Sequence, residues 1–281
     1  MQTVSSIPEL RAALAALRHR GSLGFVPTMG ALHAGHRSLV EASRAQCAAT
    51  AVSIFVNPTQ FAPNEDFTRY PRTLEADLAM LEAAGVDLVF TPTPEIMYPA
   101  GASTVIDVGE LGNRLDGASR PGHFLGVATV VAKLFHLVQP EFAYFGQKDA
   151  AQVAVLRQMV RDLNMPVELV VCPIVREPDG LAMSSRNRYL SAEERRTALA
   201  LSRALQAAEM MAAGGEVQAY ALRAAMEDVL DREPGVRTDY VAVIDWTTLL
   251  PVPSVTGGAL LAVAAWVGTT RLIDNLVLPA R

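Results

Sequence analysis

Between residues 23 and 171 the chain alternates short apolar runs with stretches of helical periodicity, and few folds satisfy that alternation. Strands are expected over residues 23–26, 50–56, 86–90, 104–108, 141–145 and 167–171. Helices are expected over 8–18, 35–47, 74–84, 126–137 and 149–163. In the third of these, Leu74, Leu78 and Leu81 recur at helical spacing, Thr73 can cap the start and Gly85 stops it. Such a pattern predicts an α/β fold: a Rossmann-like, doubly wound parallel sheet with helices on both faces. Ligands of such sheets bind outside the carboxyl ends of the strands.

After about Cys172 the pattern changes. Ser191-Ala-Glu-Glu194 is a capping-box signature that opens a long amphipathic helix to about Met211. Gly214 and Gly215 break it, and a second helix is expected over 217–230, followed by strands over 240–244, 259–267 and 271–278. Helices followed by consecutive strands indicate a second, smaller α+β domain. The expected division is 1–173 and 174–281, with the second domain placed to close as a lid.

A chain of 281 residues can bury a full α/β core, and 51% hydrophobic with 19% charged residues excludes a disordered one. The formal net charge of −5 gives no support for a nucleic-acid partner. The longest apolar stretch, 257–268, is shorter than the roughly 20 residues a bilayer span needs, and Pro8, Glu9 and Arg11 interrupt any signal-peptide core. Cys47 and Cys172 lack metal or redox spacing and read as reduced packing residues of a cytoplasmic protein.

Residues 27–36 read Pro-Thr-Met-Gly-Ala-Leu-His-Ala-Gly-His, a turn between an apolar run and a helix. His33 and His36 are three residues apart, so in a first helical turn their rings share one face. Gly35 lets a ligand approach the backbone, and the unpaired N–H groups and dipole of the helix start favour an anion. The reading is a phosphate-handling centre; the plainer alternative is a β–α turn that carries two histidines. His19 sits at a helix end, and His136, within Leu-Phe-His-Leu, reads as a packing residue. Residues 176–190 form a polar, turn-rich segment with paired hydroxyls beside a guanidinium, Met183-Ser184-Ser185-Arg186. Over 177–185 the lack of apolar periodicity and the Pro178-Asp179-Gly180 turn suggest a loop that is mobile without nucleotide and ordered with it.

The H-x-G-H turn with a distant M-S-S-R resembles the signature pair of the nucleotidylyl-transfer superfamily. More closely, residues 27–36, VSIFVNPTQF (52–61), RPGHFLGV (120–127), FGQKD (145–149) and DGLAMSSRNRYL (179–190) together resemble the pantothenate synthetase (pantoate–β-alanine ligase) family. That resemblance implies an enzyme using ATP to join (R)-pantoate to β-alanine through a pantoyl adenylate, releasing AMP and pyrophosphate. It places pantoate and nucleotide in the first domain. The resemblance puts ATP against Met29, Gly30, Ala31, Leu32, His33, Ala34, Gly35 and His36, against Gly146, Gln147, Lys148 and Asp149, and against Val175, Met183, Ser184, Ser185 and Arg186. His36 is implied as proton donor, with His33 and Lys148 contacting phosphate. Gln60, Gln152, Val130 and Val131 are implied at pantoate, where Val127 and the two other valines read equally as a core stripe. Gln60 is implied at β-alanine, and Asn57 reads as turn chemistry. Ala151 departs from the family's pattern, which often has glutamine there. Magnesium is expected to be held mainly by nucleotide phosphates. Asp77 is a secondary metal candidate whose plainer reading is a solvated helix face. The resemblance also implies a homodimer and small-molecule partners only, with no nucleic acid and no membrane. A competing reading is a nucleotidyltransferase of the same superfamily; another is a silent nucleotide-binding module, from which loss of the histidine pair or Lys148 would be expected.

Overall fold

The structure, a computed structural model, describes residues 1–63 and 65–281. In chain order its elements are β1 (Gln2–Val4), α1 (Ile7–Arg18), β2 (Leu23–Thr28), α2 (Ala34–Gln46), β3 (Ala49–Ile54), α3 (Leu74–Ala83), β4 (Leu88–Phe90), α4 (Pro94–Met97), α5 (Asp116–Ser119), α6 (His123–Val138), β5 (Phe142–Gly146), α7 (Ala150–Asp162) and β6 (Glu168–Cys172). There follow α8 (Ala192–Ala213), α9 (Ala219–Asp231), β7 (Val236–Ile244), β8 (Ala259–Val267) and β9 (Thr270–Leu278). Contacts divide the chain into two compact units: Met1–Gly146 with Val155–Pro173, and Gln147–Ala154 with Ile174–Arg281.

In the first unit six strands pair in parallel in the order β1-β4-β3-β2-β5-β6. Chain order reverses between β2 and β5, so the crevice at their carboxyl ends is the topological switch point where such sheets take ligands. Alternation along the strands sends Val26, Val52, Val89 and Tyr144 to one face, against Leu39 and Val40 of α2 and Leu81 of α3. The fully buried Phe25 leaves by the opposite face, and α1 packs on α6. Close approach of α2 to β2 depends on Gly24: a Cβ there would lie 2.1 Å from Ser43 Oγ. Cys47 and Cys172 are buried in this core, and burial pushes the Cys172 thiol up, away from the reactive thiolate.

Several local expectations are corrected. Residues 104–108 form no strand; Val105 is 56% exposed, and the sheet position beyond β4 is filled by β1. β-Branched composition is a preference for pleated, half-buried surroundings, and residues 104–108 pair with no strand. On α3 the buried stripe is turned: Leu74 is 46% exposed, whereas Asp77 is 2% exposed and so does not lie on a solvated face. Thr73 occupies the N-cap position of α3, but its hydroxyl donates to Asp77 instead of capping the helix. His136 is exposed in the last turn of α6 and is not a packing residue.

The second unit is an antiparallel meander, β7-β8-β9, covered by α8 and α9. The Ser191–Glu194 capping box forms: the Glu194 N–H donates to Ser191 Oγ, and the Ser191 N–H to Glu194 Oε2. Ala200, Ala204 and Ala208 on α8 are fully buried, and their small side chains let α8 pack closely with α9 in a core that includes Leu222, Met226 and Leu261. Asp274 and Asn275, each 3% exposed, interrupt the otherwise apolar run from Leu272 to Leu278 on β9.

Candidate active site

β2 delivers its chain at Thr28 into the H-x-G-H turn. The Thr28 hydroxyl donates to Ser53 O at 2.8 Å and accepts from the Gly30 N–H at 3.2 Å, tying the turn to the end of β3. Gly30 and Ala31 both take positive φ, +81° and +50°, which swings the backbone from strand to helix. His33 is the N-cap of α2: its Nδ1 accepts the Gly35 N–H at 3.1 Å, while His36 Nδ1 accepts the His33 N–H at 3.3 Å. The two half-buried rings lie 4.1 Å apart between centroids, sharing one face as their spacing predicts. With each Nδ1 accepting, the neutral tautomer carries its proton on Nε2, so both rings present an Nε2–H donor. The helix start adds its own positive potential.

Gln60 belongs to the same unit, and it is 8% exposed. Its Nε2 lies 2.9 Å from Met29 Sδ, which puts the amide beside the H-x-G-H turn, and its Oε1 accepts from Asn57 Nδ2 at 3.2 Å. Asn57 also donates to Gly126 O and accepts from the Tyr98 hydroxyl at 2.8 Å, so its amide organises the turn. Gly126 is required here, since a Cβ would lie 2.4 Å from Thr59 O. The Gln60 carbonyl accepts from Arg120 Nη2 at 3.3 Å and lies 2.8 Å from His123 Nδ1. Arg120 in turn makes a two-pronged pair with Glu65, both bonds at 2.6 Å. Burial pushes the Glu65 carboxyl up, but its hydrogen bond and attraction to Arg120 outweigh that and hold it below its usual value. Val127, Val130 and Val131 are all at most 5% exposed on α6, in keeping with a core stripe.

The second unit carries the other motifs. Lys148 Nζ lies 3.3 Å from Asp149 Oδ1, in a pair whose Asp149 side chain is 48% exposed. Asn275 on β9 clamps the backbone beneath that lysine: its Nδ2 donates to Gln147 O at 3.0 Å and Lys148 O at 2.9 Å, and its Oδ1 accepts from Gln147 Nε2. Gln152 is half-buried and Ala151 is buried on α7. Val175 O accepts the Met183 N–H at 2.9 Å, so the Val175 carbonyl is engaged within the protein. Ser184 caps the short 3-10 turn Ser185–Tyr189, its Oγ accepting the Arg186 N–H at 3.2 Å, and Ser185 is buried.

The segment ahead of it is not an irregular loop. Arg176 and Ala182 bridge as antiparallel partners, and Glu177 N–H donates to Leu181 O. Arg176 grips Asp274 through two bonds of 2.7 and 3.0 Å, and Arg195 pairs with both Glu177 and Asp179. Burial raises the Glu177 carboxyl, yet its hydrogen bonds from Arg195 and Asn187 hold it below its usual value. Residues 176–182 are thus a hairpin tied to Asp274 and Arg195.

Reasoning from sequence missed Asn275, Asp274 and Glu65, and gave Arg120, which opens the R-P-G-H-F block, no role of its own. The signal for the first two was available: a polar pair inside an otherwise apolar run of β9 must be partnered if buried. Asn275→Ala leaves two carbonyls without that donor, a change expected to destabilise by about 1–3 kcal/mol. Thermal unfolding of the variant beside the wild type checks it. Among the described residues no group of three or more His, Cys, Asp or Glu could hold a metal ion. Asp77 does not fit as a ligand, because its carboxylate already accepts from Ala31 N–H, Leu32 N–H and the Thr73 hydroxyl. Among the described residues no helix is long and apolar enough to cross a membrane.

A family model described as pantoate–β-alanine ligase matches residues 2–277. The chain belongs to the pantoate–β-alanine ligase family. It is 62% identical over 290 residues to the pantothenate synthetase of Acidobacterium capsulatum, covering 99% of this chain and 97% of that one. The pantothenate synthetase of Roseiflexus sp. (strain RS-1) is 59% identical over 280 residues, covering 100% of both. Among solved structures, a pantothenate synthetase from Thermus thermophilus superposes with a TM-score of 0.94 at 52% identity, over 98% of this chain and 99% of that one. The Francisella tularensis pantoate–β-alanine ligase, solved with β,γ-ATP and β-alanine, superposes with a TM-score of 0.81 at 34% identity, over 99% and 97% of the two chains. Membership makes the protein a ligase, built as this family is: a six-stranded parallel sheet with helices and a small three-stranded antiparallel unit.

Proposed function

We propose that the protein condenses (R)-pantoate with β-alanine to pantothenate, using ATP and releasing AMP and pyrophosphate. The observation that carries the reading is the paired His33 and His36 on the helix start that follows β2, beside Gln60, in a chain of this family. A carboxylate is a poor acylating agent and must first be activated. A pantoate carboxylate oxygen attacks the α-phosphorus, and the bond to the bridging oxygen breaks as pyrophosphate leaves. The β-alanine amine then attacks the acyl carbon of the pantoyl adenylate, AMP departs with the C–O bond electrons, and the nitrogen loses a proton. Both steps depend on positioning and charge neutralisation.

In this reading the His36 Nε2–H and His33 Nε2–H donate to phosphate oxygens, with His36 as proton donor. Lys148 neutralises phosphate charge, as do Ser184, Ser185 and Arg186, while Met29–Gly35, Gly146, Gln147, Asp149, Val175 and Met183 line the nucleotide. Gln60 and Gln152 hold pantoate through amides that both donate and accept, against Val130 and Val131, and Gln60 also reaches β-alanine. Magnesium enters with the nucleotide as the counter-ion of its phosphates, with no protein ligand required. The protein acts in the cytoplasm as a homodimer. Incubation with ATP, magnesium, pantoate and β-alanine tests the reading: AMP and the amide should appear in equal amounts, and ADP or a nucleotidylated product would contradict it.

A further inference from the structure

We propose that Asp77 is a positioning residue for the nucleotide-binding turn: its carboxylate holds Ala31 in a left-handed conformation and so sets where the His33–His36 pair begins. The proposal rests on the reading of that turn as the nucleotide site. Asp77 is 2% exposed, and its Oδ2 accepts the Ala31 N–H at 2.8 Å. Its Oδ1 accepts the Leu32 N–H at 2.8 Å and the Thr73 hydroxyl at 3.0 Å. These are three bonds gathered on the two oxygens of one side chain. An asparagine of the same shape offers one oxygen, and its NH2 would face a backbone donor.

Ala31 supplies the independent observation. It is fully buried at φ +50°, a region that a residue with a Cβ avoids. Such a conformation persists where the surroundings impose it, and the Asp77 bonds fall on this residue and the next. Next to it, a Cβ on Gly30 would lie 3.1 Å from Asp77 Oδ2, so the carboxylate is also packed against the turn. Two residues on, His33 is extended at φ −145° and caps α2. Releasing Ala31 to ordinary backbone redirects the chain just before the histidine pair.

The test uses Asp77→Asn in the wild-type and Ala31→Gly backgrounds, read by kinetics with MgATP. Glycine takes positive φ without steric cost, so it removes what the carboxylate must impose. Asp77→Asn is expected to lower kcat/KM for ATP by about tenfold or more, the scale of one misplaced left-handed residue, with the KM for β-alanine nearly unchanged. In the Ala31→Gly background the same substitution should cost about threefold or less, because little strain remains to be held. Equal losses in the two backgrounds, no loss in either, or a loss relieved by excess magnesium would overturn the proposal; the last would make Asp77 a metal ligand. Should Asp77→Asn not fold, Thr73→Val removes one donor and keeps the carboxylate; the same background dependence on a smaller scale is expected, and its absence would overturn the proposal. An inactive wild-type protein would contradict the function reading alone. The Ala31 and Leu32 amide proton shifts would then test the clamp: moving upfield in Asp77→Asn supports it, and staying in place overturns it.

Discussion

Replacing His36 with alanine is expected to slow pantoyl adenylate formation by about 10²–10³-fold, the usual cost of one donor to a charge developing in the transition state. The expectation follows from the tautomer. His36 Nδ1 accepts the His33 N–H, so the proton of the neutral ring resides on Nε2, and alanine removes that donor outright. It also removes an acceptor from the first turn of α2, for which a stability loss of about 0.5–2 kcal/mol is expected, too little to unfold a well-cored domain. Rapid-quench single-turnover kinetics, with circular dichroism on the same sample, separates the two effects. Adenylate formation at the wild-type rate would remove His36 from the mechanism.

Lys148→Met should lower kcat/KM for ATP by a comparable factor, about 10²-fold or more, while leaving the KM for β-alanine close to wild type. The lysine is set for such a role by its backbone, which Asn275 holds at the carbonyls of residues 147 and 148, and not by its side-chain partner. Its 3.3 Å pair with the half-exposed Asp149 is of the weak, solvated kind, so a phosphate can displace the carboxylate at little cost. Methionine keeps length and apolar stem without charge. If the substitution moved the β-alanine KM and spared ATP, Lys148 would belong to the other half of the reaction.

Much of the architecture was legible because periodicity reports burial. Strands over 23–26 and 141–145 and the helices begun by Ser191 and Gly35 lie where apolar spacing and caps put them. The failures have a common cause, which is that side-chain chemistry is set by long-range contact. Residues 104–108 have strand composition, but the place beside β4 is taken by residues 2–4, far upstream in the chain. Asp77 follows the polar face of a helical wheel, yet it is buried because the backbone N–H groups of Ala31 and Leu32, far upstream in the chain, need an acceptor. The histidine pair, Gln60 and Lys148 were readable as motifs. Their supports were harder to read: Arg120 with Glu65 behind Gln60, and Asn275 behind Lys148, are pairings across 55 and 127 residues. A buried polar pair on β9 signals that Asn275 needs partners, but no local pattern says which. The partners of the 176–182 hairpin, Arg195 and Asp274, likewise come from elsewhere in the chain.

The most direct test of the account is exchange of labelled pyrophosphate into ATP by the wild-type protein, with magnesium and pantoate present and β-alanine omitted. In the proposed site, donors at the phosphates and amides for a small acid, with no serine or cysteine of these motifs set beside a base as a covalent carrier, would leave the activated acyl group on AMP. Exchange should therefore run with pantoate alone, stop without it, and weaken in Gln152→Ala chiefly through pantoate binding. Exchange that needs β-alanine, or that proceeds with no acid at all, would contradict the two-step adenylate route.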